Sequence, residues 1–234
     1  MAALSIEVIA VSTDEKMGCI VFAGCEDDLS FPDEEIKRRS DTVICADRGL
    51  RFCHKAGMKA DIAVGDFDSV TEEELERART EGTRIFEYPS EKEETDLDLA
   101  LKLAFRLGSR RCFLYGALGG RIDHGLANIL LMRRYASMGM QITMIGKMNT
   151  IEMMTHDFPC HISGREGCTI SIIPLSDTVI GIKTNGMKFE LHGEDLSCGS
   201  SRGVSNQVMY KLAQVSCDSG EAAVVINEKD AHLD

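Results

Sequence analysis

The strongest constraint on the fold is a regular alternation, over roughly the first 146 residues, of short apolar runs with longer segments of helical periodicity. Short apolar or alternating runs bounded by glycine or aspartate are typical of strands. They span residues 19–23, 42–46, 62–64, 83–88, 112–115 and 141–145. Segments with helical spacing span residues 50–56, 71–78, 96–107 and 123–138. Strand and helix in alternation at these lengths predict an α/β domain, a mainly parallel sheet between two layers of helices.

The pattern changes near residue 147, after which no segment has helical periodicity. Residues 168–174 alternate and end in proline, and residues 208–215 and 222–226 are further strand candidates. Asn185-Gly186 lies between residues 179–183 and 187–191, which predicts a β-hairpin because Asn-Gly suits the tightest hairpin turns. We therefore predict two domains, an α/β domain over residues 1–147 and an all-β sandwich over residues 148–234.

Composition excludes several classes of protein. A net charge of -12 argues against a general nucleic-acid binder, because phosphate backbones are held by clustered Lys and Arg. No apolar run reaches the ~18 residues of a membrane span, and residues 1–7 lack the features of a signal peptide. The nine cysteines contain no Cys-x-x-Cys pair, which predicts buried thiols in a reducing cytoplasm rather than zinc or disulfide sites.

Polar loops follow four of the predicted strands, and ligands bind at the carboxyl ends of parallel strands. These acidic or glycine-rich loops span residues 47–49, 65–69, 91–96 and 116–124. In the second loop, Asp66 and Asp68 are two residues apart and can share a hard cation such as Mg²⁺. The same loop can also be read as an Asp-rich turn in which Ser69 caps the following helix.

The other loops also allow a simple structural interpretation. Thr95 and Asp98 resemble a capping box, Asp123 is a possible N-cap, and the glycines at 116, 119 and 120 suit either a tight turn or a phosphate contact. Neither a Walker A motif nor a G-x-G-x-x-G fingerprint is present. Carboxylates repel a polyphosphate unless a cation lies between them, and Arg121 adds a bidentate phosphate donor. The four loops together therefore predict a magnesium–nucleotide site.

Four motifs occur in order along the chain: Gly65-Asp66-Phe67-Asp68-Ser69, Glu91-Lys92-x-x-Thr95-Asp96, Gly119-Gly120-Arg121-x-Asp123-His124 and Ser205-Asn206. Taken together, they resemble the motifs of the thiamine pyrophosphokinase family over roughly residues 17 to 227. The resemblance implies an α/β catalytic domain, a thiamine-binding β-sandwich, and a homodimer with each active site between the two subunits. It also implies transfer of diphosphate from ATP to the thiamine hydroxyl, which yields thiamine diphosphate and AMP.

The resemblance implies a role for each matching residue. Metal ligands would be Asp66, Asp68 and Asp96, and the catalytic groups Asp68, Asp96 and Arg121, with Asp96 a candidate acceptor of the hydroxyl proton. Nucleotide contacts would come from Asp47, Thr95, Arg121, Asp123 and His124. Ser205 and Asn206 would contact thiamine from the partner subunit, although these two residues alone indicate only a polar turn.

Three departures from the family pattern bear on these roles. Arg48 replaces a usual glycine, Glu93 replaces a usual aspartate, and the chain has no Trp to stack on thiamine. The same acidic loops would also suit another Mg²⁺-dependent kinase or phosphohydrolase, or a nucleotide sensor without activity. The products formed from ATP, with and without thiamine, distinguish these alternatives.

Overall fold

The computed structural model describes residues 18–228, so residues 1–7, which bear on the signal-peptide prediction, lie outside the described part. The helices are Glu34–Arg38 (α1), Gly49–Lys55 (α2), Glu72–Thr80 (α3), Asp96–Arg106 (α4) and Ile122–Ser137 (α5). The first strands are Gly18–Phe22 (β1), Thr42–Ala46 (β2), Ile62–Gly65 (β3), Arg84–Glu87 (β4), Arg111–Tyr115 (β5) and Gln141–Ile145 (β6). The remaining strands are Asn149–Met154 (β7), Cys160–Ser163 (β8), Thr169–Pro174 (β9), Thr178–Asn185 (β10), His192–Ser197 (β11), Asn206–Gln207 (β12), Leu212–Ser216 (β13) and Ala222–Asn227 (β14).

Ten strands form one sheet in the order β12-β9-β14-β7-β6-β5-β1-β2-β3-β4, and four form a second sheet in the order β11-β10-β13-β8. Strands β1 to β6 pair in parallel, and β7 joins β6 in antiparallel orientation. The large sheet therefore continues across the turn that contains residue 147. The predicted domain boundary coincides with this change from parallel to antiparallel pairing, and it stays a prediction.

Three clusters of buried apolar side chains lie between the layers of sheets and helices. One lies between the large sheet and α4 and α5, and includes Leu101 and Tyr135. The second covers the opposite face through α2 and α3, and includes Phe52 and Leu75. The third lies between strands β7, β9 and β14 of the large sheet and the four-stranded sheet. Helices cover both faces of the parallel strands, and the second sheet packs on one face of the antiparallel strands, so the predicted α/β fold with a C-terminal β-sandwich is confirmed.

The predicted hairpin around Asn185-Gly186 is wrong in its second strand. Strand β10 pairs with β11, while residues 187–191 form the connection between them. A two-residue type I′ turn needs positive φ at both positions, whereas only Gly186 has it, at +79°. The strand predicted over residues 208–215 begins only at Leu212, and strands β7, β8 and β12 were not predicted.

The burial of most thiols agrees with the sequence-based prediction. All nine cysteines lie in the described part and are free, and seven of them are buried. None of the described helices has both the length and the apolar character needed to cross a membrane.

Candidate active site

Three carboxylates meet where β2 and β3 end. Each of Asp47, Asp66 and Asp68 offers an oxygen, and these three oxygens lie within 4.8 Å of one another. They meet because β2 and β3 are parallel neighbours, so the loops that follow them leave the same edge of the sheet. The backbone N–H of Asp47 donates to the carbonyl of Val64 at 2.8 Å, which holds the two loops in register.

The backbone at this point is strained. Among the described non-glycine residues, only Asp47, Phe67 and Ser205 have positive φ, at 45°, 55° and 62°. Such conformations cost free energy and concentrate at functional sites. Gly65 permits the close approach of the loops, since a Cβ there would lie 3.1 Å from the Cα of Asp47. All three strained residues belong to loops or motifs identified in the sequence.

The interpretation of Ser69 as a helix cap is wrong. Thr71 caps α3 and forms a capping box with Glu74. The hydroxyl of Ser69 instead donates a hydrogen bond to Oδ2 of Asp47. The side chain of Ser69 therefore contacts the carboxylate of Asp47 and not the first turn of α3.

The donor atoms of this group fit a hard divalent cation. Within the described part of the chain, Oδ1 of Asp47 is buried and has no hydrogen-bond partner. An orphaned buried carboxylate oxygen is costly unless a cation or a water satisfies it. Mg²⁺ prefers oxygen ligands and is often held by one or two carboxylates together with substrate phosphates. Asp66 and Asp68 would supply these carboxylates, and Asp47 would supply a third.

Asp96 lies beside this group at the first turn of α4. Thr95 caps this helix by accepting a hydrogen bond from the backbone N–H of Asp98 at 3.2 Å, so the Thr95 half of the predicted capping box is confirmed. The carboxylate of Asp98 does not complete the box, because it accepts from Tyr135 and Arg134 instead. Nζ of Lys92 lies 3.0 Å from Oδ1 of Asp96 and 3.7 Å from Oδ2 of Asp66. The structure thus groups Asp47, rather than Asp96, with Asp66 and Asp68, and the metal role of Asp96 stays a prediction.

The two carboxylates beside Lys92 have opposite electrostatic environments. Burial raises the pKa of Asp96 above its ordinary value, and the charges of Asp47 and Asp66 add to this effect against the opposing ammonium of Lys92. Burial acts in the same direction on Asp66, but it is outweighed by the hydroxyl of Ser90, the backbone N–H of Asp68 and the charge of Lys92, so the pKa of Asp66 is lowered. Asp66 is therefore the firmly ionised group, and Asp96 the better proton acceptor.

A cleft of about 380 Å³ opens next to these carboxylates and is lined by four of the five predicted nucleotide-binding residues, Asp47, Thr95, Arg121 and His124, and by Asp96, but not by Asp123. Arg48, which departs from the family pattern, also lines it.

The exposed guanidinium of Arg121 donates two hydrogen bonds to the carboxylate of Asp123, at 3.1 and 2.6 Å. The interpretation of Asp123 as an N-cap is wrong, because Arg121 occupies that position of α5.

The glycines of the fourth loop have a packing role. A Cβ on Gly116 would lie 2.7 Å from the carbonyl oxygen of Ala23, and one on Gly119 would lie 2.7 Å from the Cβ of Asp27. Gly116, Gly119 and Gly120 all have positive φ, at 65°, 97° and 63°. The turn interpretation of these glycines is confirmed, and this tight turn borders the cleft.

Ser205 and Asn206 lie at the same edge of the large sheet but at its outermost strand, β12, which begins at Asn206 and is directly preceded by Ser205. Eight strand spacings of about 4.8 Å separate β12 from β3, which amounts to about 38 Å along the sheet. The side chain of Asn206 accepts from the backbone N–H of Phe189 and donates to its carbonyl, at 3.0 and 2.6 Å. Within one chain, the predicted thiamine contacts are therefore not brought to the acidic loops.

Sequence reasoning missed three residues at or beside these sites. The contact of Ser69 with Asp47 spans 22 residues and has no local signal. Lys92 is four residues before Asp96, a spacing that favours an ion pair, and this signal was available. Phe189, with 64% of its surface exposed, is an aromatic side chain beside Asn206, in the segment predicted as a strand.

Comparison with known proteins gives a consistent result. Residues 34–144 match the family described as thiamin pyrophosphokinase, catalytic domain, and residues 155–221 match thiamin pyrophosphokinase, vitamin B1 binding domain. Thiamine pyrophosphokinase of Bacillus subtilis (strain 168) is 32% identical over 180 residues, which cover 76% of this chain and 83% of the relative. Thiamine pyrophosphokinase 1 of Oryza sativa subsp. japonica is 29% identical, over 69% of this chain and 64% of the relative. A crystal structure of the Bacillus subtilis enzyme superposes with a TM-score of 0.79 at 27% identity, covering 91% of this chain and all of that one.

Proposed function

Because the chain belongs to the thiamin pyrophosphokinase family, we propose that its acidic strand-end loops bind Mg²⁺ and ATP for attack by thiamine. The chain is a thiamine diphosphokinase, which transfers the diphosphate of ATP to the thiamine hydroxyl and releases AMP. The observation that carries the site assignment is the meeting of Asp47, Asp66 and Asp68 at one edge of the sheet. Residues 1–147 would supply this nucleotide site, and residues 148–234 the thiamine contacts.

Asp66 and Asp68 would hold Mg²⁺, with Asp47 as a third ligand. When bound, the ion neutralises the phosphate oxygens that these carboxylates would otherwise repel. Ser69 fixes the rotamer of Asp47 and leaves Oδ1 free to face the ion. In phosphoryl transfer, positioning and charge neutralisation supply most of the rate enhancement, which is what a set of fixed carboxylates can provide.

Asp96 would accept the proton of the thiamine hydroxyl. The hydroxyl oxygen forms a bond to the β-phosphorus of ATP, the bond from that phosphorus to the oxygen bridging it to the α-phosphorus breaks, and AMP leaves with the bond's electron pair. Two observations support this role for Asp96. Asp96 lines the cleft in which the phosphates would bind, and burial raises its pKa, which makes it a better base than Asp66.

Arg121 would neutralise phosphate oxygens from the other side of the cleft. Its pairing with Asp123 is exposed, and exposed ion pairs contribute little to stability. A polyphosphate therefore competes readily for the guanidinium. Asp123 and His124, together with Asp47 and Thr95, would complete the nucleotide pocket.

Thiamine would be held by Ser205 and Asn206 of a second copy of the chain. The distance of about 38 Å along the sheet supports a homodimer in which each site uses both subunits. Exposed apolar side chains flank both halves of the site: Ile122, Leu126 and Leu130 lie along α5, while Phe189, Met209 and Tyr210 lie near Asn206. Exposed apolar patches of this kind mark interaction surfaces. Phe189 would supply the aromatic face for which the chain has no Trp.

The nine free thiols support a reducing, cytoplasmic location. The decisive test of activity is incubation of the chain with ATP, Mg²⁺ and thiamine, followed by measurement of AMP and thiamine diphosphate. Equal amounts of the two products are expected. Phosphate or pyrophosphate release without thiamine would indicate a hydrolase, and ATP binding without turnover would indicate a sensor.

A further inference from the structure

Lys92 bridges two of the acidic loops, and the reaction described above gives it no role. It lies in the loop between β4 and α4, and only 12% of its side chain is exposed. Its ammonium lies 3.0 Å from Asp96, 3.7 Å from Asp66 and 3.2 Å from the carbonyl oxygen of Pro89. The ammonium donates a hydrogen bond to Pro89 and forms ion pairs with the carboxylates of Asp96 and Asp66.

The surroundings of this ammonium explain why a fixed cation is needed. Asp66 and Asp96 carry like charges on loops that follow different strands, and Asp47 and Asp68 add two more carboxylates nearby. Without a cation between them, the carboxylates of Asp66 and Asp96 would repel each other and the two loops would separate. The carbonyl oxygen of Pro89, in the same loop as Lys92, holds the ammonium from a third direction.

We infer that Lys92 is a positioning residue. It sets the spacing between Asp66, the proposed metal ligand, and Asp96, the proposed proton acceptor. The inference rests on the proposed function, since it needs Asp96 to act on the thiamine hydroxyl. Lys92 keeps its bridging contacts while ATP binds and acts on the reaction only through these carboxylates. A displacement of about 1 Å at a reacting group can cost about 100-fold in rate, so the loss of such a bridge is measurable.

The direct test removes the ammonium. Lys92→Met keeps the aliphatic stem, Lys92→Gln is a second neutral variant, and Lys92→Arg keeps the charge. Lys102→Met is a matched control, because Lys102 of α4 pairs with Glu94 of the same loop at 2.9 Å but lies outside the site. Both neutral variants should lose about 10- to 100-fold in kcat with the KM for ATP changed less than about threefold. Lys92→Arg should recover part of kcat, and Lys102→Met should match the wild type.

Two further measurements separate positioning from other roles. The Asp96→Asn/Lys92→Met double variant should be no slower than Asp96→Asn alone, because Lys92 acts through Asp96. Binding of Mn²⁺, followed by electron paramagnetic resonance without substrates, should be unchanged or tighter in Lys92→Met, since a positive charge has been removed.

Three results would overturn the inference: a tenfold rise in the KM for ATP at unchanged kcat, losses that multiply in the double variant, or unaltered kinetics in both neutral variants. Weakened Mn²⁺ binding in Lys92→Met would also contradict it. Failure of the proposed function gives a different result, because the wild-type chain would then form no thiamine diphosphate.

Discussion

The hydroxyl of Ser69 donates a hydrogen bond to Oδ2 of Asp47, and this contact ties the loop after β3 to the loop after β2. Ser69→Ala leaves that oxygen without its partner and frees the rotation of the carboxylate. Loss of a hydrogen bond to a charged group costs about 1.5–3 kcal/mol, so we expect kcat/KM to fall by about 10- to 100-fold. Steady-state kinetics at varied Mg²⁺ would measure this, and Ser69→Thr, which keeps the hydroxyl, should stay close to the wild type. An unchanged rate in Ser69→Ala would show that this contact does not hold Asp47 for catalysis.

Asp68 is exposed and, among the described residues, makes no ion pair within 4 Å, so its replacement should leave the fold intact. Asp68→Asn removes one negative charge from the proposed metal site, and turnover should fall by about 100-fold or more. Kinetics and the thermal midpoint, measured together, separate activity from stability. Glu93→Gln, in an exposed position of the neighbouring acidic loop, is a control for a general effect of charge. Near-normal activity of Asp68→Asn would remove the metal assignment.

Ser205 is proposed to contact thiamine, and its φ of 62° is costly for any residue with a Cβ. Ser205→Ala should raise the KM for thiamine more than the KM for ATP, by about 5- to 10-fold for the loss of one hydrogen bond. Ser205→Gly also lacks the hydroxyl but relieves the backbone strain, so a similar rise in both variants would assign the effect to the hydroxyl. Equal changes in both KM values would argue against a thiamine contact.

Glu74 connects α3 to α2 through two hydrogen bonds from Arg51, at 2.6 and 3.1 Å. The guanidinium of Arg51 lowers the pKa of Glu74 from 4.5 to about 2. The pair therefore stabilises the fold above about pH 4.5, and this contribution is lost as the pH falls towards 2. Since Glu74 is 22% exposed and Arg51 35%, solvent screening reduces the contribution to about 1–2 kcal/mol.

Glu74→Gln should accordingly lower the free energy of unfolding at pH 7 by about that amount, 1–2 kcal/mol. It should also flatten the acid branch of the stability curve between about pH 4.5 and pH 2. Urea unfolding at a series of pH values measures both effects. A variant whose stability falls with acid as steeply as that of the wild type would show that another carboxylate dominates this branch.

The parallel half of the fold could be predicted from the sequence because its apolar runs are buried on both faces of the sheet. Residues 42–46, for example, were predicted as the strand that the structure shows. The hairpin prediction failed because the conformation of residues 187–191 depends on Asn206, which holds Phe189 from 17 residues away. Such long-range contacts leave no periodic pattern in the local sequence.

The sequence was sufficient to predict which loops form the site, but not which of their side chains meet. Asp66 and Asp68 follow a strand, and the rule for parallel sheets placed them at the ligand-binding edge. The inclusion of Asp47 in the tight group of three carboxylates depends on the pairing of β2 with β3, and the contact of Lys92 with Asp66 on the pairing of β3 with β4. The ordered set of motifs predicted the family, while the separation of Ser205 from the acidic loops required the order of strands.

Each active site is proposed to combine the acidic loops of one chain with the Ser205–Asn206 region of another. Complementation between two inactive variants tests this arrangement. Asp68→Asn lacks the proposed metal ligand, and the Phe189→Ala/Asn206→Ala double variant lacks thiamine contacts, so each alone should be nearly inactive at low thiamine concentration.

After unfolding and joint refolding of equal amounts, half of the dimers are mixed and each mixed dimer has one intact site. We predict recovery of about a quarter of the wild-type rate of AMP and thiamine diphosphate formation. A rate no higher than the sum of the two separate variants, with mixed dimers demonstrated by mass spectrometry, would contradict the claim.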